Sequence, residues 1–382
     1  MEIKHGLISA DSHVIMAPDT YTDRMSRARW GDLIPQMVEV MDKRENRLVH
    51  RWKIYGQTPE VDRGFNCPAA LENNPLRNIY PKRWEEVPAR VYDPFERAEA
   101  QDSDGVDGEV LFNMPNFSRY RDPAFELDAV RAANEALADW RAAIDRYIPL
   151  ADLPLLSGID AVVAEVEYAA ARGCRGVNML SEPSTVIKGL KHVGDRYWDP
   201  LWAVCQDLEL PINFHASGGL GPILRVPRWS GHSQHPDHAA HTTGTSFWPA
   251  QIIPTLILSG IADRFPRLNF VFAEAGVGAA YYAIAACDHE WERGKLWREG
   301  LPTRPSEIVR RQMYVNFWFE VAGPAMRDRL SADNIMWESD YPHIVSTYPE
   351  SWKWVERSLG DVPDADRKKM LYQNAVRIYK LA

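Results

Sequence analysis

The chain is poor in cysteine, and its few cysteines are scattered. They are Cys67, Cys174, Cys205 and Cys287, and no two of them form a C-x-x-C pair. This argues against a thiol zinc site and against a dithiol redox motif. Free, buried thiols in the reducing cytoplasm are therefore the expectation.

Positive charge and long hydrophobic runs are scarce as well. The 44 lysines and arginines face 53 acidic residues, which leaves a net charge of −9. This charge argues against nucleic acid and anionic membrane as partners. The apolar stretch from Ala275 to Cys287 is shorter than the ~20 residues that span a bilayer. No apolar leader is visible at Met1 to His5, so a secretory signal is not expected.

Short apolar runs alternate with amphipathic stretches along the whole chain, whose 45% hydrophobic content predicts a globular protein with a sizeable core. Because parallel strands need a helical crossover, this alternation predicts a (β/α)₈ (TIM) barrel as a single domain over residues 1–382. A doubly wound open sheet is the alternative. The predicted strands are Gly6–His13, Glu109–Asn113, Ile148–Leu153, Gly176–Leu180, Pro211–His215, Asn269–Glu274, Met313–Phe319 and Ile335–Asp340.

Two long insertions interrupt this pattern, residues 17–92 after the first strand and residues 216–247 after the fifth. In a barrel both lie at the face where active sites are built, so residues 17–92 are predicted to form a lid or pocket wall. Aromatic residues of this insertion either line a pocket or anchor it to a small core of its own: Trp52, Tyr55, Phe65, Tyr80 and Trp84. The second insertion holds four histidines, which indicate a solvated loop or helix face more than a metal surface: His232, His235, His238 and His241.

Four of the predicted strands carry polar residues at their C-terminal ends: Asp11 and His13, His215, Glu274, and Asp340. Side chains two positions apart on a strand point to the same side, so Asp11 and His13 should project together. One such residue is typical of a satisfied core group. Four such ends on one barrel predict a divalent-cation site instead, because the charge of the ion offsets the burial of its ligands. Carboxylate and imidazole ligands suit Zn²⁺, Mn²⁺ or Fe²⁺.

The motifs around these residues span nearly the whole chain. They are Ala10-Asp-Ser-His13, Leu210-Pro-Ile-Asn-Phe-His-Ala216, Phe272-Ala-Glu-Ala-Gly276 and Trp337-Glu-Ser-Asp-Tyr-Pro-His343. With them the chain resembles the amidohydrolase superfamily, in the branch of the aminocarboxymuconate-semialdehyde decarboxylase-like enzymes. The resemblance implies a distorted (β/α)₈ barrel, a homodimer, and one or two Zn, Fe or Mn ions per chain. It also implies a set of metal ligands, which are Asp11, His13, His215 and Asp340.

Glu274 departs from the pattern of this branch, whose decarboxylases have a histidine at the end of strand six. An ionised Glu274 cannot donate a proton and would repel a substrate carboxylate. It could instead bind or bridge two metal ions, with His289 on the next helix completing the second ion's shell. The alternatives are that Glu274 orients His215 and that His289 is a surface residue.

Glu274 therefore favours a metal-dependent hydrolase that cleaves an ester, thioester or amide bond with metal-activated water. Asp340 and His343 are its predicted catalytic residues: Asp340 moves the proton, while His343 contacts the substrate or tethers its loop. The expected partner is a small molecule, aromatic or an acyl thioester. One alternative is a metal-dependent, non-oxidative decarboxylase of an aromatic or unsaturated acid. Another is a non-catalytic relative that only binds ligand.

Overall fold

The computed structural model describes residues 1–43, 45–55, 64–114, 122–216, 239–240, 242–244, 246–321 and 325–381. The chain divides into two compact units. The first unit comprises Met1–Cys174 and Ser339–Lys353, and the second comprises Arg175–Glu338 and Trp354–Ala382. The four histidines of the second insertion lie outside the described residues.

Eight of the described strands form one sheet whose order, β1-β4-β5-β6-β7-β8-β9-β10, follows the chain. The strands are β1 (Ile8–Ile15), β2 (Gln36–Asp42), β3 (Arg47–Lys53), β4 (Gly108–Met114), β5 (Tyr147–Ala151), β6 (Gly176–Met179), β7 (Ile212–Phe214), β8 (Phe270–Phe272), β9 (Met313–Phe317) and β10 (Ile335–Trp337). The strand pairs described within each unit of this sheet are parallel, whereas β2 and β3 form an antiparallel hairpin. With helices between its strands, the sheet is the predicted (β/α)₈ barrel, so the predicted fold class is confirmed.

Helices follow the strands, and two of them begin at a proline directly after a capping aspartate. Asp93 and Asp122 each accept hydrogen bonds from the amides of the first turn, while the following proline occupies the first helical position. The helices are α1 (Arg27–Trp30), α2 (Pro94–Asp104), α3 (Pro123–Ala143), α4 (Ile159–Ala171), α5 (Pro183–Val186), α6 (Asp199–Asp207), α7 (Pro249–Leu258), α8 (Ile261–Arg264), α9 (Val277–Gly294), α10 (Pro305–Gln312), α11 (Arg327–Leu330), α12 (Ser351–Leu359), α13 (Asp364–Lys368) and α14 (Asn374–Tyr379).

Strand β1 shows how the fold positions polar groups. Every one of its residues is buried, including Asp11, Ser12 and His13. A barrel strand is covered on both faces, so apolar residues are the rule along it. Buried charged or polar groups are costly unless they find partners. The polar residues of β1 therefore need a compensating ion or hydrogen-bond network.

The aromatic residues of the first insertion anchor it to the first unit. Trp52 packs edge-on against Tyr21, with ring centroids 5.5 Å apart, and Tyr55 lies 5.0 Å from the ring of Phe125. A second cluster, around Val87, Val91 and Tyr341, is covered by Phe65 and Trp84. Of the two roles open from the sequence, these contacts favour anchoring. The role of residues 17–92 as a lid stays a prediction.

All four cysteines are buried and free. Burial raises the pKa of the Cys67 thiol to about 12 and has the same effect on Cys174. These thiols therefore stay protonated at neutral pH and are poor nucleophiles. In the described part of the chain, no helix is long and apolar enough to cross a membrane.

Candidate active site

Asp11 and His13 lie side by side on β1. They are 0% and 4% exposed, and His13 Nε2 is 3.4 Å from Asp11 Oδ1. The strand carries an irregularity here, because the register with β4 shifts between Ser9 and Ser12. Such bulges re-aim side chains beside active sites. The strand ends at Ile15, two residues later than predicted.

Asp340 joins this pair from the segment that follows β10. Its backbone N–H donates to the carbonyl of Asp11 at 3.0 Å, and the N–H of His13 donates to the carbonyl of Tyr341 at 2.7 Å. The side chain brings Oδ1 to 3.2 Å from His13 Nε2. Asp340 Oδ2 is buried and has no hydrogen-bond partner among the described residues. An acceptor oxygen in this state is suited to bind a cation.

His343 packs directly on Asp340. Its Nδ1 lies 2.8 Å from Asp340 Oδ1, and its Nε2 lies 3.1 Å from Met114 Sδ. The ring also stacks on that of His13, with centroids 3.9 Å apart. Both ring nitrogens of His343 thus contact protein groups. Of the two predicted roles, these contacts favour a tether for Asp340 and its loop.

Burial and neighbouring charges set the protonation states of this group. Burial, aided by the neighbouring His343, lowers the pKa of His13 to about 4 although Asp340 opposes the change. Burial also acts to raise the pKa of Asp340, but His343 and His13 overcome it and hold that pKa well below its usual range. At neutral pH the result is a neutral imidazole beside a carboxylate, the states that metal ligands require. Ligand atoms of His13, Asp340 and His343 lie within 4.8 Å of one another and could hold a metal ion.

The second unit carries His215, directly after β7, and Glu274, two residues after β8. His215 Nε2 and Glu274 Oε2 are 3.7 Å apart, which is too long for a hydrogen bond. Two ligands of one ion, with bonds of ~2.1 Å, lie within ~4.2 Å of each other. The separation is therefore compatible with both groups binding the same ion. A carboxylate that only orients a ligating histidine would contact its other ring nitrogen.

Glu338, which was not predicted as a site residue, holds the backbone of Glu274 in place. It is fully buried, and its two oxygens accept from the backbone N–H of Glu274 at 3.1 and 3.2 Å. The side-chain amide of Asn316 donates to Glu338 Oε2 at 2.9 Å. A charged residue directly after a buried strand is the signal that revealed Asp340, and it would have revealed Glu338 too.

His289 does not join this group. It is exposed on α9, about three turns after the helix begins at Val277. At 1.5 Å per residue this places it roughly 18 Å along the helix axis. At that distance along the helix and exposed to solvent, His289 fits the predicted alternative of a surface residue better than that of a ligand beside Glu274.

The fold and these strand-end groups define a (β/α)₈-barrel enzyme with a residue cluster that could hold a metal ion. The model of the Amidohydrolase family matches residues 72–381, and the chain belongs to this family. The resemblance drawn from the sequence motifs is thereby confirmed.

Three similar proteins are decarboxylases by name. The gamma-resorcylate decarboxylase of Rhizobium sp. (strain MTP-10005) is 26% identical over 320 residues, which cover 78% of this chain and 90% of the relative. The structure of 2,6-dihydroxybenzoate decarboxylase from Rhizobium is similar with a TM-score of 0.64, at 20% identity over 99% of both chains. A dihydroxybenzoic acid decarboxylase from Polaromonas sp. JS666 was solved with bound manganese and the inhibitor 2-nitroresorcinol. Its TM-score is 0.62, at 18% identity over 98% of this chain and 97% of that one.

The prediction of a hydrolase is wrong, because these relatives support the decarboxylase alternative. The hydrolase prediction depended on Glu274, because an ionised carboxylate alone repels a substrate carboxylate. Glu274 lies beside His215, where a shared cation would offset its charge. Its carboxylate therefore does not discriminate between the two reactions. The acyl thioester was predicted as a substrate for hydrolysis, so that prediction is no longer supported.

Proposed function

We propose that this protein is a metal-dependent, non-oxidative decarboxylase of a small hydroxylated aromatic acid. The observation that carries the proposal is the gamma-resorcylate decarboxylase that matches over 90% of its own length. Membership of the Amidohydrolase family and the barrel fold agree with it. The choice of a hydroxylated aromatic acid as the substrate rests on the names of the relatives and on the chemistry of decarboxylation.

We propose that Asp11, His13, His215 and Asp340 hold one divalent ion, with Glu274 as a further ligand. The C-terminal ends of all strands of a (β/α)₈ barrel open on one face, where these residues belong. The residues suit such an ion, because Asp340 Oδ2 is a buried acceptor without a donor among the described residues. Oxygen and imidazole ligands are compatible with manganese, which one relative binds. When bound, the ion would act as a Lewis acid on the oxygens of the substrate.

Asp340 acts in this proposal as a ligand and not as a proton carrier. Its pKa lies well below the usual range, so it is ionised at neutral pH and is too weak a base to carry a proton efficiently. His343 Nδ1, 2.8 Å away, donates to Asp340 Oδ1 and holds the carboxylate in one orientation. Such outer contacts commonly orient metal ligands. The proton transfer predicted for Asp340 in a hydrolase has no counterpart in this proposal.

The proposed substrate is a benzoic acid with a hydroxyl group next to its carboxylate. In decarboxylation a proton from solvent adds to the ring carbon that carries the carboxylate, the bond between that carbon and the carboxylate carbon breaks, its electron pair returns to the ring, and carbon dioxide leaves. A neighbouring hydroxyl donates electron density to that ring carbon and so eases its protonation. It also places a second oxygen beside the carboxylate, where both can face a cation.

The test is an assay of the purified protein, loaded with Mn²⁺, on 2,6-dihydroxybenzoate. We expect carbon dioxide and resorcinol in equal amounts, loss of turnover with a chelator, and recovery when Mn²⁺ is returned. Benzoate without hydroxyl groups serves as the matched negative substrate. If Mn²⁺-loaded protein releases no carbon dioxide from any mono- or dihydroxybenzoate, the proposal is wrong.

A further inference from the structure

A buried ion pair lies behind the ligands of the first unit. Arg97 on α2 and Glu109 on β4 are 0% and 2% exposed. Arg97 Nε donates to Glu109 Oε2 at 2.8 Å, and Nη2 donates to Oε1 at 3.1 Å. This is the bidentate geometry in which an arginine and a carboxylate are held most rigidly.

The remaining N–H groups of Arg97 reach backbone carbonyls on the two segments that carry proposed ligands. Nη1 donates to the carbonyl of His13 at 3.2 Å, and Nη2 donates to that of Tyr341 at 3.4 Å. Nη1 also reaches the carbonyl of Arg90 at 3.4 Å. A guanidinium has five N–H groups, and these contacts together with Glu109 use all of them.

Glu109 is equally well satisfied. Besides Arg97, it accepts from the hydroxyl of Ser12 at 3.1 Å and from the side-chain amide of Gln101 at 2.7 Å. Ser12 lies between Asp11 and His13 on β1. The pair therefore contacts β1 through both partners, by a carbonyl and by a side chain.

Stability alone gives little reason for such a pair. Removing two charges from water costs several kcal/mol per ion, and well-packed apolar replacements are often as stable. A role in positioning explains the contacts better, because they converge on the residues beside Asp11, His13 and Asp340.

We propose that Arg97 and Glu109 are positioning residues that set the spacing between β1 and the segment of Asp340. They hold the carboxylate and imidazole groups of these two segments at the separation that one cation requires. This inference rests on the metal site of the proposed function. It adds two residues that touch neither the ion nor the substrate.

Lysine cannot replace arginine in this role. It carries three donors on one nitrogen and cannot form the bidentate fork. It also lacks the flat guanidinium that lies over the ring of Tyr341, 4.1 Å from the centroid. Arg97→Lys therefore keeps the charge while removing the geometry.

The chain offers a matched control in Arg131. Its Nε and Nη2 donate to the buried Glu165 at 3.0 and 2.8 Å, and its guanidinium lies 4.2 Å from the ring of Tyr168. This pair joins α3 to α4 and not the two segments with proposed ligands. Arg131→Lys thus repeats the chemical change at a site where no effect on a metal is expected.

The experiment is calorimetric titration of Mn²⁺ into metal-free wild-type, Arg97→Lys and Arg131→Lys proteins, with thermal unfolding as the check on folding. We expect Arg97→Lys to bind Mn²⁺ ~10–100-fold more weakly, as for other residues that orient ligands. Arg131→Lys should bind it as wild type does. The electron paramagnetic resonance spectrum of bound Mn²⁺ should change in Arg97→Lys alone, because the ligand geometry changes.

A folded Arg97→Lys protein with wild-type affinity and an unchanged spectrum would overturn the inference. If that variant does not fold, Glu109→Gln carries the test, since it keeps the shape of the side chain and weakens the pair. It too should bind Mn²⁺ more weakly, and wild-type affinity would again overturn the inference. Wild-type protein that binds no Mn²⁺ would show in the first titration and would refute the proposed function as well.

Discussion

Acid should destabilise the metal-free protein, and His13 should account for a defined part of the loss. Burial and the neighbouring His343 lower the pKa of His13 from 6.5 to about 4. Between these pH values the unfolded chain binds a proton at His13 that the folded chain does not bind. The free energy of unfolding therefore falls as the pH falls through this window, and the His13 contribution is fully present only above pH 6.5.

The size of the effect follows from the two pKa values of His13. Each pKa unit corresponds to ~1.4 kcal/mol, so the change from 6.5 to about 4 is worth ~3 kcal/mol. The imidazole is 4% exposed, so solvent screens this contribution little. Asp340 lowers the free energy of unfolding further at lower pH, because its pKa is also depressed in the folded protein.

The assay is urea unfolding of the metal-free protein, in chelator, at pH 7, 6, 5 and 4. His13→Asn replaces the imidazole with a polar group that does not titrate, so its stability should fall by ~3 kcal/mol less than that of wild type. The control is His289→Asn, which makes the same change at an exposed histidine and should keep the wild-type slope. Equal slopes for His13→Asn and wild type would refute the assignment of a buried, neutral imidazole.

Two further predictions concern the strand-end residues Asp340 and Glu338, and a third concerns His289 on α9. Asp340→Asn should lower the rate of carbon dioxide release by ~1,000-fold or more and weaken Mn²⁺ binding in calorimetry, because the charge of the ligand is lost. Wild-type values for both the rate and the affinity would show that Asp340 is not part of the metal site. Glu338→Ala deprives the Glu274 N–H and the Asn316 amide of their acceptor, at ~1–3 kcal/mol each, so urea unfolding should show a loss of ~2–6 kcal/mol. His289→Ala should leave the metal content in elemental analysis and the turnover unchanged, and a drop in metal content would return it to the site.

The barrel could be predicted from the sequence because its signal is local and repeated. The apolar run Ile148–Leu153, for example, is long enough for a strand and is followed by an amphipathic helix. The same reasoning placed Asp11, His215 and Asp340 at strand ends, since a charge there breaks an otherwise apolar run. Strand bounds were less accurate, as β1 shows by extending beyond His13.

The reaction could not be predicted from the residue types, because one carboxylate serves several chemistries. The hydrolase prediction considered only the charge of Glu274, whereas the chemistry of this carboxylate depends on the groups beside it. The contact with His215 joins residues from two strands that are distant in the sequence. The pairing of Arg97 with Glu109 could not be predicted for a similar reason. A salt bridge between a helix and a strand leaves no local sequence pattern that distinguishes its residues from surface charges.

Glu274 and Asp340 share an unusual backbone conformation that links the two strand ends to function. Their φ angles are 49° and 52°, in the left-handed region, which costs about 1–3 kcal/mol for a residue other than glycine. Each is held there by its backbone N–H, which donates to Glu338 in one case and to the carbonyl of Asp11 in the other. Glycine would relieve the strain at both positions but has no carboxylate. The chain thus accepts local strain where the proposed metal site needs a side-chain oxygen, and each strained residue donates its backbone N–H to an acceptor on a buried residue. In the proposed metal site, Glu338 and the β1 backbone therefore matter as much as the carboxylates that they hold in place.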